Sequence, residues 1–135
     1  MERQDYKGAI DAFDKAIAIN PNHAMAYCSR GIAKGEIQDI PGELADYNKA
    51  IGIDSMCALA YYNRGCAKHS SQDFDGAIKD YSKAIELRPK DGDAYANRGA
   101  AKIALGLIDS GCWDMKIAKE FGYADAEKVM QEYCH

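Results

Sequence analysis

The chain has 135 residues with 17 Lys+Arg against 21 Asp+Glu, a net charge of −4, and 47% of its residues are hydrophobic. That is one domain's worth of chain with an ordinary globular balance, which argues against disorder. No apolar run approaches the ~20 residues that span a bilayer, and an acidic chain without clustered Lys and Arg is a poor reader of nucleic-acid phosphates.

From the N-terminus, Met1-Glu2-Arg3-Gln4-Asp5 has no apolar stretch behind its charges, so no secretory leader is expected there. Residues 5 to 19 then carry a helical stripe of Tyr6, Ile10, Phe13 and Ile17, closed by Asn20-Pro21-Asn22. Beyond it the chain repeats. Tyr27-Cys28-Ser29-Arg30-Gly31-Ile32-Ala33-Lys34 returns as Tyr61-Tyr62-Asn63-Arg64-Gly65-Cys66-Ala67-Lys68 and as Tyr95-Ala96-Asn97-Arg98-Gly99-Ala100-Ala101-Lys102. The glycines at 31, 65 and 99 fix a period of 34 residues. A second string holds the same period, with Ala9–Ile17, Glu43–Ile51 and Ala77–Ile85 in register. Fixed periods of this length mark helical arrays.

Each unit is predicted to be a helix, a short turn near Gln38-Asp39 or Gln72-Asp73, and a second helix. Phe74, Ala77, Ile78, Tyr81, Ala84, Ile85 and Leu87 draw the apolar face of one such second helix. Abundant Ala and scarce β-branched residues other than Ile agree with helix throughout. The small residues are expected where helices cross, with Gly31, Gly65 and Gly99 facing positions of the type of Ala9, Glu43, Ala77 or Gly111. The last segment, Ala124 to Tyr133, is predicted to form a cap helix with Tyr123, Ala126, Val129, Met130 and Tyr133 on one face.

On these residues the chain resembles the tetratricopeptide repeat proteins. Tyr61, Gly65, Ala77, Tyr81, Ala84 and Pro89 match the family's pattern, while Glu43 and Ser55 depart from it in the preceding unit. The segment from Gly111 to Gly122 resembles the terminal repeat of many bacterial members, a lean toward a bacterial source. The resemblance implies an all-α fold, a right-handed superhelical array of helix-turn-helix repeats with a C-terminal cap helix. The expected organisation is a half repeat at 1–22, repeats at 23–57, 58–91 and 92–122, and the cap helix at 123–135. The register places Met1 near the end of a first helix that this chain lacks. Two readings of that end stay open: a fragment of a longer chain, or a helix that pairs with a second copy.

The family's concave surface usually holds a peptide. The positions that carry over to it are Met25, Cys28, Ser29 and Ile32, then Leu59, Tyr62, Asn63, Cys66 and His69, then Asp93, Asn97 and Ala100. Chaperone carboxylate capture, which some members perform with Lys, Asn and Arg, is disfavoured, because Asp93 has the wrong sign and only one Asn matches. The basic residues are expected elsewhere, in structural ion pairs Arg30–Asp46, Arg64–Asp80 and Arg98–Asp114 inside each unit.

Five cysteines show no C-x-x-C pair, and Cys66 with His69 lacks two further ligands for a metal, so a small buried hydrophobe is the expected role. Cys112 and Cys134 are level if the last two helices are antiparallel, which would permit a disulfide in an oxidising compartment. No phosphate loop or nucleophile–base–carboxylate spacing occurs, so neither an enzyme nor a cofactor is expected. The expected function is a protein–protein interaction scaffold that takes an extended or helical peptide of another protein in its groove. The alternative is a structural or self-associating module, a homo-oligomer through the N-terminal helix, or a fragment whose function lies in its parent. A soluble protein is expected, in the cytoplasm rather than the periplasm.

Overall fold

The computed structural model describes residues 3–135, with side chains from residue 5. The expectation for Met1 lies outside the described residues. Among the described residues eight helices follow one another: α1 Arg3–Ile19, α2 Ala24–Glu36, α3 Ile40–Ile53, α4 Ala58–Ser70, α5 Phe74–Leu87, α6 Gly92–Ala104, α7 Ile108–Glu120 and α8 Ala126–Tyr133. No described residue lies in a strand. The chain divides into two compact units, Met1–Ala67 and Lys68–His135, with the boundary inside α4.

Within the first unit α1 packs on α2 and α2 on α3. Tyr27, Cys28, Tyr47, Ala50, Cys57, Ala60 and Ala67 form its core, with Ile17, Ile32 and Leu44 among those packed against it. In the second unit α5 packs on α6, α6 on α7 and α7 on α8. Its core gathers Ala96, Met115, Ala118 and Ala126, with Tyr95, Tyr123, Val129 and Met130 around them. The cap helix begins two residues later than its sequence suggests, and Tyr133, expected on its apolar face, stays exposed.

The turns show why the repeat holds its length. At the end of α2 the Gln38 amide donates to the Gly35 carbonyl (3.0 Å) and the Asp39 amide to the Lys34 carbonyl (2.9 Å), the bond pair that closes a helix through a left-handed residue. Gln38 has φ 68° and Gln72 φ 64°, and Gly106 has φ 82° at the same phase of the period. Asp39 then caps α3, its side chain accepting from the Gly42 amide at 3.1 Å, and Asp73 caps α5 through Gly76 at 3.0 Å. Leu107 stands at the third such position and offers α7 no side-chain cap.

The close crossing of α6 and α7 needs glycine on both sides. A Cβ on Gly99 would lie 2.8 Å from the Gly111 carbonyl oxygen, and one on Gly111 would lie 2.8 Å from the Gly99 carbonyl oxygen. The first unit solves the same crossing differently. There the Tyr47 ring, not Glu43, meets Gly31, and the Glu43 carboxylate lies against Gly35. A tyrosine is too wide to share the glycine's slot with a second side chain, so Glu43 moves one helical turn along.

Candidate peptide-binding surface

The first helix of each pair sets a repeating arginine. Arg30 donates from Nε and Nη2 to the two oxygens of Asp46 at 2.9 and 2.7 Å. Arg98 does the same to Asp114, at 2.8 Å for both bonds. Each aspartate also holds a lysine one turn beyond the arginine: Lys34 on Asp46 at 3.2 Å and Lys102 on Asp114 at 2.9 Å. In the second unit Lys68 reaches Asp80 at 3.0 Å. The remaining expected partners, Arg64 and Asp80, belong to different units.

The remaining guanidinium nitrogen points backwards along the chain. Nη1 of Arg30 donates to Asp14 at 2.8 Å, that of Arg64 to Asn48 at 2.9 Å, and that of Arg98 to Ser82 at 3.2 Å. Each guanidinium also lies over the tyrosine three residues before it, Tyr27, Tyr61 or Tyr95, at 5.4 to 5.6 Å from the ring centre. Arg30 and Arg98 therefore clip three helices together and are spent on structure. The Asp46 hydrogen bond holds the Arg30 guanidinium above its ordinary range, and Asp114 acts likewise on Arg98.

With the basic residues engaged inward, the face left to the first helices is a stripe at i, i+4 and i+7. On α2 it is Met25, Ser29 and Ile32, exposed at Met25 and half-buried at the other two. On α4 it is Leu59, Asn63 and Cys66, all half-buried, and on α6 it is exposed Asp93 with half-buried Asn97 and Ala100. The Asn63 amide nitrogen donates to the Leu59 carbonyl at 2.8 Å, which fixes the side chain along its own helix.

The position between Tyr27 and Ser29 is a correction. Cys28, expected on the groove, has 0% exposure and belongs to the core. It lies three residues from Gly31, on the face that meets α3, so a small side chain there disappears, as Ala96 does in α6. Tyr62 occupies the same register and is half-buried, because its ring is too long for that slot. His69 is also turned to its own unit, edge-on to Phe74 at 5.2 Å and to Tyr81 at 6.4 Å, and burial pushes its pKa down.

Two features had no counterpart in the sequence reading. The backward partners Asp14, Asn48 and Ser82 keep the 34-residue phase but change residue type each time, which hides them from a search for identical letters. The other is a cleft of about 400 Å³ in the second unit, walled by Ile108, Cys112, Trp113, Lys116, Met130, Tyr133 and Cys134. Cys112 and Cys134 are joined there by a disulfide with their α-carbons 5.8 Å apart, which fastens α8 to α7. Trp113 is 64% exposed at the cleft edge, with the Lys116 ammonium over its ring at 5.7 Å. Among the described residues no cluster of three or more His, Cys, Asp or Glu is placed to hold a metal ion, and no helix is long and apolar enough to cross a membrane.

Comparison with known proteins fits this architecture. The family model described as "Tetratricopeptide repeat" matches residues 58–91, and a second, described as "TPR repeat", matches residues 1–38. The chain belongs to the tetratricopeptide repeat proteins. Among solved structures it is similar to MamA, at 28% identity over 96% of this chain and 68% of that one, with a TM-score of 0.79. It is also similar to YrrB, described as a TPR protein with an unusual peptide-binding site, at 26% identity over 90% of this chain and 63% of that one, TM-score 0.83. The first TPR of Spaghetti (RPAP3), solved bound to an HSP90 peptide, shares the fold at 21% identity over 82% of this chain and 89% of that one, TM-score 0.78. Sequence comparison with curated proteins finds no match.

Proposed function

We propose that the chain is a non-catalytic interaction module whose first helices take a peptide segment of another protein. The observation that carries this reading is the stripe at 25, 29 and 32 and its counterpart at 59, 63 and 66, both in the first unit. Met25, Ile32, Leu59 and Cys66 give this surface its apolar character and Ser29 and Asn63 its hydroxyl and amide, all of them exposed or half-buried, while Arg30 and Arg64 of the same helices are engaged inward. Such a surface suits a peptide held by apolar contacts and backbone hydrogen bonds. The likeness to YrrB, which has a peptide-binding site, supports it. The stripe has no cation for a terminal carboxylate, so an internal peptide segment is the occupant proposed.

Selection from a random-peptide library tests the reading. Wild-type chain should enrich a consensus peptide, and an Asn63→Ala/Tyr62→Ala variant with an unchanged melting curve should lose most of that binding. Equal binding by both would remove the stripe from consideration. The alternative of self-association through α1 would show as a concentration-dependent mass lost in Phe13→Asp.

A further inference from the structure

The seam between α7 and α8 departs from the seams before it. At three earlier places a second helix offers a short acceptor to the arginine of the helix that follows: Asp14 to Arg30, Asn48 to Arg64 and Ser82 to Arg98. One period further on, Lys116 stands at the acceptor position and Glu132 at the arginine position. The acceptor side now carries an ammonium and the donor side a carboxylate. Among the described residues Lys116 forms no ion pair, and its ammonium lies over the Trp113 ring at 5.7 Å. With no guanidinium folded back across this seam, the Cys112–Cys134 bond ties α8 to α7 instead. The cleft of about 400 Å³ opens beside that bond.

We propose that this cleft binds a small aromatic carboxylate, with its ring against Trp113 and Tyr133 and its carboxylate on the Lys116 ammonium. The site belongs to the second unit and does not rest on the peptide stripe. The cleft volume lies at the low end of small-molecule sites, roughly 300–1,000 Å³, which suits one ring with a short arm. Trp113 and Tyr133 are both exposed in its wall and Met130 lies between solvent and core there, a lining that favours an aromatic body. Lys116 is the one lysine or arginine in the wall, and a single ammonium matches a single carboxylate. Asp109 lines the same cleft seven residues earlier on α7, about 10 Å away along the helix axis. Its charge repels an anion, so the ligand's carboxylate points to the Lys116 end. His135, also in the wall, turns its Nε2 to the Glu132 carbonyl at 3.3 Å.

The full chain holds one tryptophan, so Trp113 emission reads this cleft alone. Titration with phenylpropionate should change that emission to saturation. Phenylpropionamide, with the same ring and no charge, should bind several-fold more weakly, and phenylpropylamine more weakly still. Lys116→Met should bring the carboxylate down to the affinity of the amide, while Tyr133→Ala should weaken both, each with an unchanged melting curve. Isothermal calorimetry of the same titrations separates binding from simple quenching. No saturable change with phenylpropionate would overturn the proposal, as would an amine that binds as well as the acid. Octanoate binding as tightly as phenylpropionate would overturn the aromatic assignment. A short peptide ending in phenylalanine that binds more tightly than the free acid would overturn the small-molecule reading in favour of a chain terminus.

Discussion

Asp114 receives both arms of the Arg98 guanidinium at 2.8 Å while its own side chain is 2% exposed. A carboxylate so placed has lost nearly all its water, and the paired donors replace it. Arg98→Met would leave Asp114 with Lys102 as its remaining ion-pair partner in this arrangement. A loss of about 2–4 kcal/mol is expected, the range for breaking a buried pair softened by that second cation. Lys83→Met, which removes an exposed pair with Glu86 at 3.4 Å, should cost less than about 0.5 kcal/mol. Urea unfolding of the two variants side by side measures the contrast.

Glu43 is a buried acid with a defined pH signature. Burial raises its carboxyl above the ordinary carboxylate range, with Glu36 and Asp39 adding to the shift and the Tyr47 hydroxyl, donating at 2.9 Å, opposing it. A carboxyl whose folded pKa exceeds its unfolded one binds more protons in the folded state, so its ionisation weakens the fold as pH rises through that folded pKa. Glu43→Gln keeps an acceptor for Tyr47 and removes the charge. The variant should melt higher than wild type at pH 7, and the difference should shrink as pH falls to about 4. A gain independent of pH would contradict the assignment.

Much of this was readable from the letters. The 34-residue period and the helix pairs follow from residue types that repeat, and so does the arginine-to-aspartate spacing in Arg30–Asp46 and Arg98–Asp114. What escaped was set by packing. Cys28 reads as a groove residue because Tyr62 and Ala96 share its register, yet side-chain length decides exposure at that register. The backward clip through Asp14, Asn48 and Ser82 escaped because any short hydrogen-bond acceptor serves there.

The left-handed residues at the helix ends make a paired prediction. Gln72 adopts φ 64° where Gly106 adopts φ 82°, and an L side chain pays ~1 kcal/mol there. Gln72→Gly should therefore stabilise the second unit by up to about 1 kcal/mol, less the backbone entropy that glycine adds to the unfolded chain. Gly106→Gln should destabilise it by a similar amount. Thermal melts of the two should move in opposite directions.

Leu107 occupies the position where Asp39 and Asp73 cap α3 and α5. Leu107→Asp should supply the missing acceptor to the first amides of α7 and add about 1 kcal/mol. Leu107→Asn should give much of the same gain, which would separate hydrogen bonding from charge.

The Cys112–Cys134 bond encloses a short loop, with 22 residues of sequence separation. By loop-entropy reasoning its removal should cost about 3 kcal/mol. Because α8 spans only eight residues and rests on α7, Cys134→Ser should raise hydrogen exchange first in Ala126–Tyr133 and leave α2 and α3 unchanged.

The central claim is that the 25, 29, 32 stripe and its counterpart at 59, 63 and 66 receive a partner's peptide. Hydrogen–deuterium exchange of the full chain, with and without a peptide selected on it, tests this most directly. Increased protection in α2 and α4, lost together with binding in the Tyr62→Ala/Asn63→Ala variant, is the predicted result. Protection confined to α1, to the second helices or to the cleft beside Trp113 would contradict it.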